Sequence, residues 1–198
     1  MLSNIFNKIG IMYLTMLPLM FGGIANMIFT KTKVYNKYKY PIDCYKTLNN
    51  KRIFGDNKTY IGFVSMIFFC IIFQVLIGFL CNSFSINKYN DLYLVHKNTL
   101  GLNLLFGFLI GFVYMIFELP NSFIKRKLNI DPGKTTKGLK GIIFFIVDQI
   151  DSLIGVMFIL FLFSNFSILK YFGYVILGAI SHIILNLILF LMKVRKNI

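Results

Sequence analysis

Five stretches of the chain are almost uninterruptedly apolar, and polar residues collect in the segments between them. Hydropathy places them at Ile9 to Thr30, Tyr60 to Asn82, Thr99 to Phe117, Ile142 to Phe163 and Tyr171 to Met192. Each approaches the ~20 residues that a helix needs to cross a hydrocarbon core. Helix is the conformation expected, because lone strands in lipid would leave backbone groups unpaired. The pattern therefore predicts an all-α polytopic membrane protein of about five transmembrane helices. It is read as one integral-membrane domain over 1–198, with loops near 31–59 and 118–141. The first run is too long, and Lys8 too thin a basic prelude, for a cleavable signal peptide.

Composition agrees. Of 198 residues, 57% are hydrophobic and only 14% charged, far from the balance of a soluble domain. The net charge of +14 could suggest nucleic acid. Yet the lysines and arginines lie between spans, where they report topology and contact with anionic lipid, so nucleic acid is not an expected partner. Seventeen of the 21 fall on one side of the predicted layout and four on the other. The positive-inside rule then puts the N-terminus outside, the C-terminus and both large basic loops in the cytoplasm, and the chain in the cell membrane. The three cysteines, Cys44, Cys70 and Cys81, have no metal-ligand spacing and read as small apolar filler.

Candidate chemistry gathers between Glu118 and Asp151. Asp148 and Asp151 are three apart on a predicted helix and share a face. Each costs roughly 2.5 to 3.5 kcal/mol to insert, so such acids normally face a cavity with a partner. A divalent cation is the most economical partner for two repelling acids, with Glu118 assisting. An ion pair with Lys125 or Arg126 is the plainer alternative. The turn Gly55-Asp56-Asn57-Lys58-Thr59 runs straight into the second span, and reads either as a helix cap or as an anion site. In the first span, Pro18 and Gly22-Gly23 suggest a kink or close packing. Gly101, Gly107 and Gly111 suggest close contact along the third. The outer loop, with Asp91 and His96, shows no constellation. In the fifth span His182 and Asn186 share a face and read as structural polar residues.

The order Glu118, Ser122, Lys125-Arg126, then Asp148-Gln149-Ile150-Asp151 resembles the integral-membrane CTP-dependent cytidylyltransferases. Gln149, where phosphatidate cytidylyltransferases carry arginine, points to the branch typified by CDP-archaeol synthase. A second block is similar to that branch too: Pro41, Asp43, Arg52, Gly55, Asp56, Lys58, Thr59 and Gly62, with Asn26 before it. Glu118 for the usual aspartate, and Tyr60-Ile61 for Trp-Arg, are departures. The resemblance implies transfer of CMP from CTP to a phospholipid phosphate, archaetidic acid-like or phosphatidate-like, giving a CDP-lipid and pyrophosphate. It implies Mg²⁺ on Asp148, Asp151 and Glu118, and catalytic roles for Asp148, Asp151, Lys125 and Arg126. Nucleotide contacts are implied for Arg52, Asp56, Asn57, Lys58, Thr59 and Ser122, with the site at the cytoplasmic face. A homo-oligomer is compatible with it. The alternative is a non-catalytic transporter or lipid-binding protein that uses the acids as an ion site. A CDP-alcohol phosphotransferase is disfavoured because its Asp-Gly-x-x-Ala-Arg run is absent.

Overall fold

The computed structural model describes residues 2–134 and 136–191, the side chains from Ile5 onward. Five long helices form the body: α1 (Leu2–Phe29), α3 (Tyr60–Ser83), α5 (Leu100–Lys127), α6 (Gly138–Ser164) and α7 (Ile168–Leu191). All five are long and apolar enough to span a membrane. Two short helices, α2 (Lys33–Tyr38) and α4 (Asp91–Val95), and a hairpin of β1 (Thr47–Leu48) with β2 (Lys51–Arg52) fill the connections. The expected C-terminal residues Lys193, Arg195 and Lys196, like Met192, lie outside the described residues.

Helix starts follow side-chain caps. Thr32, Thr59, Asn90 and Thr99 each accept a backbone N–H from the first turn of the helix that follows, satisfying donors that a helix leaves open. The hairpin turns through Asn49 and Asn50, both at positive φ, as a two-residue turn with the twist of its strands requires.

Packing centres on α3, which α1 and α5 flank. A Cβ on Gly107 or Gly111 would meet the backbone of Ile71 or Ile67 at 2.7 Å, so these glycines let α5 lie directly on α3. Gly22 does the same for α1, facing Cys70, which is fully buried. Gly101 and Gly23 meet nothing within 4 Å and play no such part. Met16, Met66, Phe106, Met157 and Tyr174 are among the core residues that join the helices. The outward faces carry exposed Phe68, Phe79, Leu104, Phe158 and Ile176, as a lipid-facing surface does.

One expected boundary is corrected. The third span was expected to end at Phe117, with a loop from Glu118; α5 instead continues through Pro120 to Lys127. Proline removes one backbone bond and crowds the carbonyl four residues back. The turns beyond it are held by contacts across to α6 and to the hairpin, so falling hydropathy does not end the helix. Lys125 and Arg126 consequently sit on a rigid helix, and the loop proper is confined to about ten residues after it.

The far end also differs from expectation. Asp91, in an outer loop that showed no constellation, is buried and accepts Lys170 Nζ at 2.7 Å and the Tyr174 hydroxyl. Its N–H donates to Thr15 Oγ1 at 3.0 Å. One residue thus ties α4 to α7 through its carboxylate and to α1 through its backbone N–H. Nothing local in the sequence announces it, since Lys170 lies 79 residues downstream.

Candidate functional site at the basic end

The site is built on one face of α5. Tyr114, Glu118, Asn121 and Lys125 follow at intervals of three or four residues, so they form a row along that helix. Opposite them, α6 presents Asp148 and Asp151, about 15 and 20 Å along its axis from Gly138. Asn121 Nδ2 donates to Asp148 Oδ1 at 2.6 Å and to Asp151 Oδ2 at 2.7 Å. A single amide therefore holds two carboxylates of adjacent helical turns within one hydrogen bond of the same nitrogen. Lys125 Nζ donates to both oxygens of Asp148. Asp151 Oδ1 takes the backbone N–H of Ser152.

Glu118 stands at the other side of this group, paired with Lys58 Nζ. Asp151 lies within electrostatic reach of both Glu118 and Lys58. The three acids and two lysines thus converge on one region. Among the described residues, though, no three acidic, histidine or cysteine side chains sit close enough to cage a metal. The arrangement is an aspartate pair bridged by an amide, with Glu118 one ion pair away. That donor set suits Mg²⁺, which takes one or two carboxylates and keeps water and phosphate oxygens for the rest.

The turn at Gly55 packs on the end of α5 and carries Lys58 to Glu118. Gly55 has φ +89°, and a Cβ there would meet Pro132 Cγ at 2.8 Å and Arg126 Cδ at 3.4 Å. Only glycine allows the turn to rest so closely on Arg126. The hairpin is clasped to the end of α5 from both sides: Lys127 Nζ donates to Leu48 O at 2.6 Å, and Lys51 Nζ to Lys127 O at 2.8 Å. Arg126 is buried, yet its Nε and Nη1 make no hydrogen bond within the chain. A buried guanidinium with two idle donors is a costly arrangement without an anion.

The remaining expected residues divide. Asp56 and Asn57 are exposed at the tip of the turn, and Ser122 is half-buried one turn past Glu118. Arg52 is engaged internally, with Nη2 to Asp43 Oδ1 and Nη1 to Asp56 Oδ1, both at 2.7 Å. Asp43 also accepts the N–H groups of Phe54 and Gly55 at 3.0 Å. Burial pushes its carboxyl up, but Arg52 and those two N–H groups outweigh it and hold Asp43 at about 2. The Thr59 hydroxyl is buried, accepting Gly62 N–H and bonded to Tyr35 Oη, so it caps α3 instead of facing a ligand. Gln149 points into the bundle, accepting from Asn186. Asn121 escaped the sequence reading altogether. Its signal was the i+3 and i+4 spacing from Glu118 and to Lys125, but an asparagine after proline reads first as a turn.

Residues 5–198 match the family model described as "CarS-like: CDP-archaeol synthase". The chain belongs to the CDP-archaeol synthase family. Within that family it is 31% identical over 165 residues to the CDP-archaeol synthase of Pyrobaculum islandicum, covering 82% of this chain and 85% of the relative. Against that of Methanoculleus marisnigri it is 31% identical over 130 residues, covering 63% and 64%. A solved structure described as "Structural insight into an intramembrane enzyme for archaeal membrane lipids biosynthesis" shares the fold. Its TM-score is 0.59 at 19% identity, over 88% of this chain and 89% of that one. Membership makes the chain a multi-pass membrane enzyme, a transferase.

Proposed function

We propose that the protein transfers CMP from CTP to the phosphate of an archaetidic acid-like or phosphatidate-like lipid, releasing pyrophosphate, at the cytoplasmic face of the membrane. The observation that carries this reading is the convergence, at one end of the bundle, of an amide-bridged aspartate pair, two lysines and an arginine with idle donors. An oxygen of the lipid phosphate forms the new bond to the α-phosphorus, and the bond to the β-phosphate oxygen breaks. Displacement of this kind needs positioning and charge neutralisation more than a covalent nucleophile.

Asp148 and Asp151 would hold a Mg²⁺ ion, which supplies Lewis-acid neutralisation of phosphate charge when bound. Lys125 then exchanges its aspartate partner for phosphate oxygens, and Lys58 does the same as it leaves Glu118. Arg126 offers its idle Nε and Nη1 donors to phosphate oxygens. Asp56, Asn57 and Ser122 line the approach, whereas Arg52 and Thr59 contribute by fixing the turn. A small cavity of about 70 Å³ between α1, α6 and α7, lined by Met20, Gly23, Met27, Leu185 and Leu189, reaches Tyr114 on the site face of α5; the hydrocarbon chains, far larger, would stay in the surrounding bilayer.

The test is purified protein in lipid with labelled CTP, Mg²⁺ and, in parallel, ether-linked and diacyl lipid phosphates. Pyrophosphate release and a labelled CDP-lipid are expected with at least one of them. Absence of both products with every lipid phosphate, in protein that remains folded, would overturn the reading in favour of a non-catalytic ion or lipid site.

A further inference from the structure

The segment between α1 and α3 does more than connect them. Three residues separate the end of α1 from the start of helix α2, and Tyr35 plugs it against Phe29 and the cap Thr59 at the head of α3. The segment is thereby pinned across the ends of two helices that are long and apolar enough to span a membrane. With Tyr35 turned inward, α2 presents two outward rows at i,i+4 spacing: Val34 with Tyr38, and Lys33 with Lys37.

The surface continues past α2. Tyr40 stacks on Tyr60 at the first turn of α3, with ring centroids 6.3 Å apart, and meets Tyr45 edge-on at 5.4 Å. All three rings are about half exposed, although Tyr60 begins a membrane span. Lys31, Lys33, Lys37, Lys39 and Lys46 are exposed around them. Between residues 31 and 48 the single acid is Asp43, which is buried and taken up by Arg52. Cations without exposed acids, interleaved with half-exposed rings, match a boundary where phosphate lies above and hydrocarbon below.

We infer that residues 31–48, together with the Tyr60 ring, form a membrane-lying platform that docks on anionic phospholipid headgroups of the leaflet at the basic end. Val34, Tyr38 and the Tyr40–Tyr60 stack sit at the acyl boundary, and the lysines engage headgroup phosphates. This inference stands apart from the catalytic reading, because no residue of the platform belongs to the proposed reaction machinery.

The chain contains no tryptophan, so Tyr38→Trp gives a single fluorescent reporter in the full-length protein. In nanodiscs of phosphatidylglycerol and phosphatidylcholine, its emission should be shifted to the blue, quenched by lipids brominated near the glycerol, and shielded from aqueous iodide. Adding Lys33→Glu and Lys37→Glu should shift it to the red and remove most of the bromine quenching. Tyr40→Trp provides the same reading independently, and Phe68→Trp on the lipid face of α3 should stay quenched by deep bromines throughout, reporting intact insertion. Water-exposed emission from both platform reporters, with iodide access unchanged by anionic lipid, would overturn the inference. So would an emission shift caused by polyuridylate but not by lipid composition, since the surface would then take nucleic acid.

Discussion

Two clusters of oppositely charged side chains lie at the two ends of this bundle, and they are built differently. At the far end Asp91 spends its oxygens on Lys170 and Tyr174, its N–H goes to Thr15, and its side chain is 4% exposed. At the basic end Asp148 is 36% exposed, two carboxylates share one amide, and Arg126 keeps idle donors. Both clusters contain an acid and a lysine, so ion pairing alone does not separate structure from function. What separates them is closure: Asp91 is shut away from solvent with its partners inside the chain, while Asp148 is open to it and Arg126 keeps donors for a ligand.

The sharpest way to break the comparison is to neutralise one acid in each. Asp148→Asn should reduce CMP transfer by about 10³-fold, the scale for losing a key electrostatic group at a reacting phosphate. Thermal stability in detergent should hold, because asparagine keeps an oxygen acceptor for Lys125 and Asn121 at a position that is 36% exposed. Asp91→Ala should do the reverse. Leaving Lys170 and Tyr174 without their partner should cost about 3 kcal/mol of stability, with turnover per folded molecule unchanged. A fall in melting temperature for Asp148→Asn with full activity, or lost turnover in folded Asp91→Ala, would invert the assignment.

That contrast also shows what the sequence could and could not disclose. The five spans are plain from hydropathy, because membrane solvent imposes one pattern on each helix. Gly107 and Gly111 announced their packing through spacing, and Asp148 with Asp151 through a shared face. The continuation of α5 beyond Pro120 was hidden, since its turns are held by side chains from α6 and the hairpin. Asp91 was hidden for a similar reason: its partners come from α1 and α7, and only the fold brings them together. Arg52 looked like a phosphate ligand because its chemistry suits one; that Asp43 had already claimed it is a tertiary fact.

Asn121 offers a smaller but more specific effect. If it sets the separation of the two aspartates, Asn121→Ala should weaken divalent-cation binding by about ten- to hundredfold, as expected for a residue that orients metal ligands. Manganese electron paramagnetic resonance on the protein without nucleotide measures this apart from activity. Asn121→Gln, with the same amide on a longer arm, should recover little, because the two bonds of 2.6 and 2.7 Å fix the reach. Unchanged manganese affinity in both variants would leave Asn121 as packing only.

Asp43 sharpens the comparison furthest, for it is a closed acid on the open side. Its carboxylate uses Arg52 and the Phe54 and Gly55 N–H groups, and sits at about 2 instead of the ordinary 3.8. A depressed folded value means the stabilisation is fully present above 3.8 and is lost as pH falls toward 2. Its size is about 2 kcal/mol by linkage, and it acts on the turn carrying Gly55 and Lys58. Between pH 5 and 8 the turn should therefore show constant hydrogen-exchange protection, once intrinsic rates are removed. At pH 7, Asp43→Asn should lower that protection over 41–56 by up to about thirtyfold. Nucleotide binding should weaken with it, since Lys58 and the cover over Arg126 ride on the same turn. Were protection lost while nucleotide affinity stayed intact, the turn would be a bystander, and closure of an acid would say nothing about the site beside it.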